Sequence, residues 1–511
     1  MKQVCPNGID KTPNAALRLR CVLTSLTLLS VAGCTVGPDF TQPSSPAIDR
    51  YIATEAITQT APALGSFGTV QTIKLGMVIE AQWWRAFQSN DLNNLIDQAF
   101  TNSPTLASAQ ANLRQAQELF AAYVGSNELP QVVGSLGAQR QQLSPSNQGI
   151  SGESREFSLY NSSVGVFYDL DLAGGISRQA EALAAKTDFR QYELQAARLI
   201  LAGNIANTAV LRAKLAAQHE ATSQILKAQD EQLRLANQRV RLGHAAPDEV
   251  LSLKAQAEQT RSQLPNLQKQ IQQADHLLAV LAGRPPGAGG MPMFTLSDFT
   301  LPSELPLVVP SELVRRRPDI QASEALMKSA NAEYGVALSR LYPQLMISAS
   351  TGSQALTTGA LFGPGTAVWA LLGQLTQPLF NAGLPAQSRA ALAAFEGSAA
   401  NYQTVVLQSL REVADSLRAI ENDALVLAAL ASADTAVRAS VRSTKRRFDL
   451  GAASSLELLV VQQQAEQIQI QYVAAQAQRL SDSVALYLAI GGQTQRLRPT
   501  DANNTNSANK P

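Results

Sequence analysis

The sequence predicts a mixed α and β membrane protein built from two like halves, each with two membrane-spanning β-strands and a long α-helical coiled-coil hairpin. Three observations carry this reading: a repeat at fixed spacing, paired runs of alternating polarity, and two very long proline-free stretches with apolar ladders. From Leu242 onward, residues about 208 positions apart match repeatedly: Leu242-Gly243 with Leu450-Gly451, Gln256 to Gln259 with Gln464 to Gln467, Leu278 with Leu486, Gly283 with Gly491. The same step joins Gly175 to Gly383 and Gln195 to Gln403, whereas nearer the N-terminus Pro130 pairs with Pro343 and Ser103-Pro104 with Arg317-Pro318. Rigid helices hold a spacing over such a length, and length changes collect in loops. The organisation read from this is a signal peptide over 1–33, an extended segment over 34–90, repeat one over 91–300, a linker over 301–310, repeat two over 311–495 and a disordered tail over 496–511.

Each repeat opens with two helices. Asp91 to Asn102 and Pro104 to about Gly125 form the first pair, with Ser103 as N-cap and Pro104 in the first turn. Ser311 to Arg317 and Pro318 to about Leu341 form the second. Two strands follow in each: Gln131 to Gln142 with Phe157 to Leu172, and Gln344 to Gly352 with Val368 to Phe380. Tyr160, Val164, Val166, Tyr168, Leu170 and Leu172 share one parity, as in a strand with lipid on one side and a polar lumen on the other. The loops Ser144 to Arg155 and Gln354 to Gly365 are rich in Gly, Ser and Pro.

Proline is absent from Ile176 to Ala246 and from Ala386 to Arg498. About 65 residues of helix extend roughly 100 Å. The return segments carry heptad ladders: Val250, Ala257, Leu264, Ile271, Leu278 with Leu253, Leu267, Ala274 and Leu281, which Thr260 interrupts. The second copy keeps the register at Leu458, Ala465, Tyr472, Leu486 and Val461, Ile468, Ala475, Ala489, where Arg479 and Asp482 intrude. An antiparallel coiled coil alone explains such ladders. The outgoing helix carries two, Leu226/Leu233/Val240 and Ala228/Leu235/Leu242. Positions two apart lie about 200° apart around a helix, so this helix packs between two neighbours like a stave in a wall. Gly243 and Gly451 are placed as C-cap glycines at the turnarounds, with Asp248 or Ser454/Ser455 available to cap the next helix.

Composition narrows the function. Lys+Arg 41 against Asp+Glu 40 leaves no basic field for nucleic acid, and aromatics are scarce at 5%. His219, His244 and His276 form no Cys/His cluster, and no phosphate loop or nucleophile elbow occurs, so no metal, cofactor or catalytic site is expected. The Arg315-Arg316-Arg317 run reads as a solvated linker rather than an anion site. At the N-terminus, Lys11, Arg18 and Arg20 precede an apolar stretch too short to span a bilayer, ending Val31-Ala32-Gly33-Cys34. This ending resembles a bacterial lipobox, which implies cleavage before Cys34, acylation of its thiol, and tethering to lipid.

Several motifs resemble the outer-membrane factors of the TolC-like family, in the lipoprotein branch that serves resistance-nodulation-division efflux pumps. They are Cys34-Thr35-Val36-Gly37-Pro38-Asp39-Phe40, Trp83-Trp84-Arg85-Ala86-Phe87, Leu264-Pro265-Asn266-Leu267 with Leu278 through Pro286, and above all Arg315-Arg316-Arg317-Pro318-Asp319-Ile320 followed by Tyr342-Pro343. The resemblance implies a homotrimer with a twelve-stranded barrel in the outer membrane and a twelve-helix periplasmic tunnel. It implies as partners a periplasmic adaptor and an inner-membrane transporter of the resistance-nodulation-division class. The expected function is an exit duct for drugs and toxic compounds. Two alternatives are an exit channel for type I protein secretion and a structural envelope lipoprotein without a pore. The candidate gate and adaptor-docking residues are Arg241, Gly243, Asp248, Arg447, Asp449 and Gly451, the charged ones forming ion pairs between converging tips. Some members carry an acidic residue where this chain has Ala453, so no aspartate ring is carried over.

Overall fold

The computed structural model describes residues 35–44, 47–53, 57–144, 149, 153–244 and 246–492, the Ser455 side chain excepted. The expected signal peptide, Cys34 and the expected tail lie outside these residues. The chain divides into two compact units: one holds Gln115–Thr187 and Ala325–Ala399 with the start of the described chain, the other Gln42–Arg114, Asp188–Glu324 and the chain from Ala400 on.

The first unit contains a four-stranded antiparallel sheet, formed by β2 (Gln131–Leu143), β3 (Arg155–Leu170), β5 (Gln344–Ala355) and β6 (Ala367–Thr376) in that order. β5 runs three residues past its expected end. β3 and β6 stop earlier than expected, β6 just before Pro378, which has no N–H for a ladder. Residues paired across the ladder share a face, so the register sorts the side chains. One face carries Val132, Val166, Ala349 and Leu371 in one row, and Tyr168 with Ile347 and Leu170 with Leu345 and Leu375 in others. The opposite face carries Ser135 with Ser163, Gly137 with Asn161 and Gln354, and Met346 with Gln374. The expected alternation is therefore present, and the apolar face is bare: Leu136, Trp369 and Leu371 are 82%, 80% and 69% exposed. Thr35 to Asp39 pack in this unit too. Val36 N donates to Ala173 O (3.0 Å), and the buried Arg178 reaches Asp39 (2.7 Å).

The other elements follow the repeat. α1 (Asn90–Asn102) and α2 (Pro104–Asn127) meet at Ser103, whose N–H closes α1 on Ala99 O and whose carbonyl opens α2 to Ala107 N. α5 (Pro310–Arg316) and α6 (Pro318–Ser339) repeat the pattern, with Arg317 outside the helix because the residue before a proline disfavours αR. The long helices α3 (Gly175–Arg241) and α7 (Gly383–Asp449) both have 67 residues, and their returns α4 (Pro247–Leu281) and α8 (Ser455–Ala489) both have 35. Asp171 caps α3, accepting from Ile176 N (3.0 Å) and Ser177 N (2.7 Å); Asn381 accepts from Gly383 N (3.0 Å) at the start of α7.

The second unit holds the main core, in which Trp83, Trp84, Phe87, Leu95 and Ile96 meet Ile205 and Ala209 of α3 and Leu480 and Val484 of α8. Two short strands were not anticipated. β1 (Thr72–Leu75) lies in the segment expected to be extended and β4 (Glu304–Leu307) in the expected linker, and they pair in parallel. Four residues are too few to show a period, and their partners are remote in sequence. The segment does lie along α8: Tyr472 Oη donates to Leu64 O (3.1 Å), Gln476 to Ser66 O (3.2 Å) and the buried Arg479 to Gln71 Oε1 (2.7 Å).

Candidate functional site

The two helical turnarounds are the candidate site, and their geometry follows from local sequence. At Gly243, φ is +79°, Gly243 N donates to Val240 O (3.0 Å) and His244 N to Arg239 O (2.8 Å). At Gly451, φ is +76°, Gly451 N donates to Phe448 O (2.9 Å) and Ala452 N to Arg447 O (2.7 Å). Both are Schellman motifs, which require the left-handed conformation that glycine adopts without strain. The expected C-cap role of both glycines stands.

The starts of the return helices differ. Ser454 accepts from Glu457 N (3.1 Å) as a side-chain cap. At the other turn Ala246 occupies the cap position and Pro247 the first helical position, so Asp248 is not the cap. Proline there needs no N–H partner, and Asp248 and Glu249 instead place negative charge in the first turn, where the helix dipole favours it.

Arg447 Nη1 lies 2.7 Å from Glu457 Oε1, and Arg239 Nη1 lies 3.7 Å from Glu249 Oε1. These pairs occupy equivalent places in the two repeats, so each hairpin is stapled by an arginine on its outgoing helix and a glutamate on its return. Arg239 also stands over the Phe448 ring at 5.1 Å, joining the first hairpin to the second. Arg239, Glu249 and Glu457 were missed by the sequence reading. Carrying Arg447 back by one repeat step leads to Arg239. Arg241, Asp248 and Asp449 are exposed and make no ion pair among the described residues. Beside them Leu242 and Leu450, equivalent in the repeat, are 70% and 84% exposed.

The helix ladders explain which faces are free. Leu253, Ala257, Ile271, Ala274 and Leu278 are buried, and Thr260, expected to interrupt the ladder, is buried with them. On α3, Leu226 is buried while Leu235 is 45% exposed and Ala228 is exposed as well. One ladder packs within the chain; the other faces outward.

In α8 the intruding pair forms a buried polar cluster. Arg479 is 1% exposed and binds Thr60 Oγ1 (3.2 Å) and Gln71 Oε1. Asp482 accepts from Gln478 Nε2 (2.8 Å) but its second oxygen has no donor, and Asp423 of α7 stands beside it. Burial, reinforced by Asp423, pushes the Asp482 carboxyl up to about 7. Burial also pulls the Arg479 guanidinium below its ordinary range.

A family model described as outer membrane efflux protein matches residues 95–284 and 309–492, well over half of the chain. The chain belongs to that family. Among curated relatives, the pyoverdine export outer membrane protein OpmQ of Pseudomonas putida is 30% identical over 426 residues, covering 82% of this chain and 90% of that protein. The probable efflux pump outer membrane protein TtgC of the same species is 26% identical over 474 residues, covering 92% of this chain and 94% of that protein. Among solved structures, the outer-membrane channel OprN matches with a TM-score of 0.81 at 25% identity, covering 90% of this chain and 99% of that one. The outer membrane protein VceC from Vibrio cholerae matches with a TM-score of 0.77 at 26% identity, covering 82% and 100%. This efflux protein is thus an outer-membrane channel component of Gram-negative type, and its sheet is the part suited to cross the bilayer.

Proposed function

We propose that this efflux protein works as a homotrimeric exit duct in a tripartite pump, with a periplasmic adaptor and an inner-membrane transporter of the resistance-nodulation-division class. The observation that supports this best is the sheet with two free edges, β2 and β6. Hydrocarbon cannot satisfy unpaired strand N–H and C=O groups, and four strands are too few to close. Three copies placed edge to edge give a closed twelve-stranded barrel, its apolar face to lipid and its serine and glutamine face to the lumen. The outward ladder Ala228/Leu235/Leu242 supplies the second seam that a twelve-helix tunnel wall needs.

In this reading the tips close the periplasmic end and dock the adaptor. Gly243 and Gly451 shape them, Arg447 is held by Glu457, and Arg241, Asp248 and Asp449 are free to pair between copies. Exposed pairs contribute only about 0–1 kcal/mol each, which suits an end that a partner opens. Cys34, acylated, tethers the chain to outer-membrane lipid. The cargo class is drugs and toxic compounds, a reading supported by relatives named for pyoverdine export and for an efflux pump. Mass measurement in mild detergent tests the assembly. Three copies with native helix and strand content are expected, and a monodisperse folded monomer overturns the duct.

A further inference from the structure

The Trp83-Trp84 motif is buried in an unusual way. Trp83 stacks on Tyr487 (5.4 Å between centroids), Trp84 meets Phe100 edge to face (5.5 Å), and the two tryptophans are 2% and 3% exposed. Yet both indole Nε1–H groups are buried with no acceptor among the described residues. Native structures rarely leave such donors unmatched, and here two adjacent residues do so. Both rings line one cavity of about 200 Å³. The side chains of Gln82, Gln195 and Arg198 line it as well, and none of the three side chains has a hydrogen-bond or ion-pair partner among the described residues. Among the described residues no carboxylate lines the cavity. By contrast, Arg178, Arg212 and Arg317, all nearly buried, hold Asp39 (2.7 Å), Asp275 (3.1 Å) and Asp319 (2.6 Å).

Indole and guanidinium groups only donate, so the missing group is an acceptor, and the unpaired arginine makes it an anion. A carboxylate, with two acceptor oxygens, suits a planar guanidinium fork beside amide and indole donors. The rings of Trp83, Trp84 and Phe100 and the side chain of Leu199 leave apolar walls around it. Pockets for drug-sized ligands run to about 300–1,000 Å³, so this one admits a smaller molecule. The second repeat has no equivalent: the step that carries Gln195 to the exposed Gln403 carries Arg198 to the buried Val406.

We propose that this cavity binds a small monocarboxylate with an apolar body. The site lies within one chain and does not depend on assembly with a pump. The chain has three tryptophans, the third being Trp369, so a Trp369→Phe background leaves fluorescence that reports on Trp83 and Trp84 alone. Benzoate titrated into the full-length protein in detergent should change this fluorescence saturably. Arg198→Gln should weaken the apparent affinity about tenfold or more, and Arg198→Lys by less. Benzylamine, with the same ring and the opposite charge, should give no response below the concentrations at which benzoate saturates. Absence of a saturable benzoate response, equal affinity in Arg198→Gln and its parent, or equal binding of benzylamine overturns the proposal. Unchanged circular dichroism in Arg198→Gln, a substitution at a half-buried position, separates lost binding from lost folding.

Discussion

Single residues were legible where local chemistry sets them. Gly243 and Gly451 are read from sequence because a helix end before another helix needs a left-handed residue, and the structure gives both that conformation. Arg479 and Asp482 were read only as breaks in an apolar ladder. Arg479 is held by Thr60 and Gln71, which reach it from more than 400 residues away, and no local pattern announces such a partner. The Asp482 carboxyl has a consequence for stability. Its folded-state pKa, about 7, lies above the ordinary 3.8. The stability it contributes is therefore full below pH 4 and is lost as pH rises toward 7. Asp482→Asn keeps a neutral, donating group beside Asp423, so thermal midpoints of the variant should fall less than those of the parent between pH 5 and pH 8. At pH 8 the variant should be the more stable of the two. A variant less stable than its parent at pH 8 would show that Asp482 is needed in its ionised form. Cys34 makes the other test at this scale: mass spectrometry of the mature N-terminus should find the chain starting at a lipid-modified Cys34, and an unmodified Cys34 or another start contradicts the tether.

At the scale of elements, the long helices and the four strands of the sheet are legible by period, whereas β3, β5 and β6 end two to four residues from where the pattern places them. β1 and β4 were missed because four-residue strands carry no period and the pairing joins Thr72 to Glu304. The hairpin staples were missed for a different reason: Arg239 and Glu249 resemble many other charges on helix surfaces, and only their repetition as Arg447 and Glu457 sets them apart. The sheet yields a direct test of its two faces. Val166 lies on the apolar face and Ser163 on the polar one. In lipid vesicles, Val166→Lys should destabilise the folded protein by about 2–4 kcal/mol if it sits near the bilayer midplane. Ser163→Lys, in the lumen, should cost much less. Equal costs in a denaturant titration would remove the assignment of lipid and lumen faces.

For the whole molecule, the repeat is the feature that sequence shows most plainly and that the helices reproduce most faithfully, with 67 and 35 residues in both copies. What one chain leaves incomplete is equally consistent: two sheet edges, an apolar sheet face, and a second ladder on α3, all without a partner among the described residues. The central claim is that copies of this chain supply those partners and enclose a pore closed at its tips. Single-channel recording of the purified protein in planar lipid bilayers tests it most directly. Small, discrete conductance steps are expected for the parent and larger ones when Asp248 and Asp449 are both replaced by alanine, with the trimer intact. A trimer that inserts but never conducts, in the parent and in the double variant alike, would contradict it.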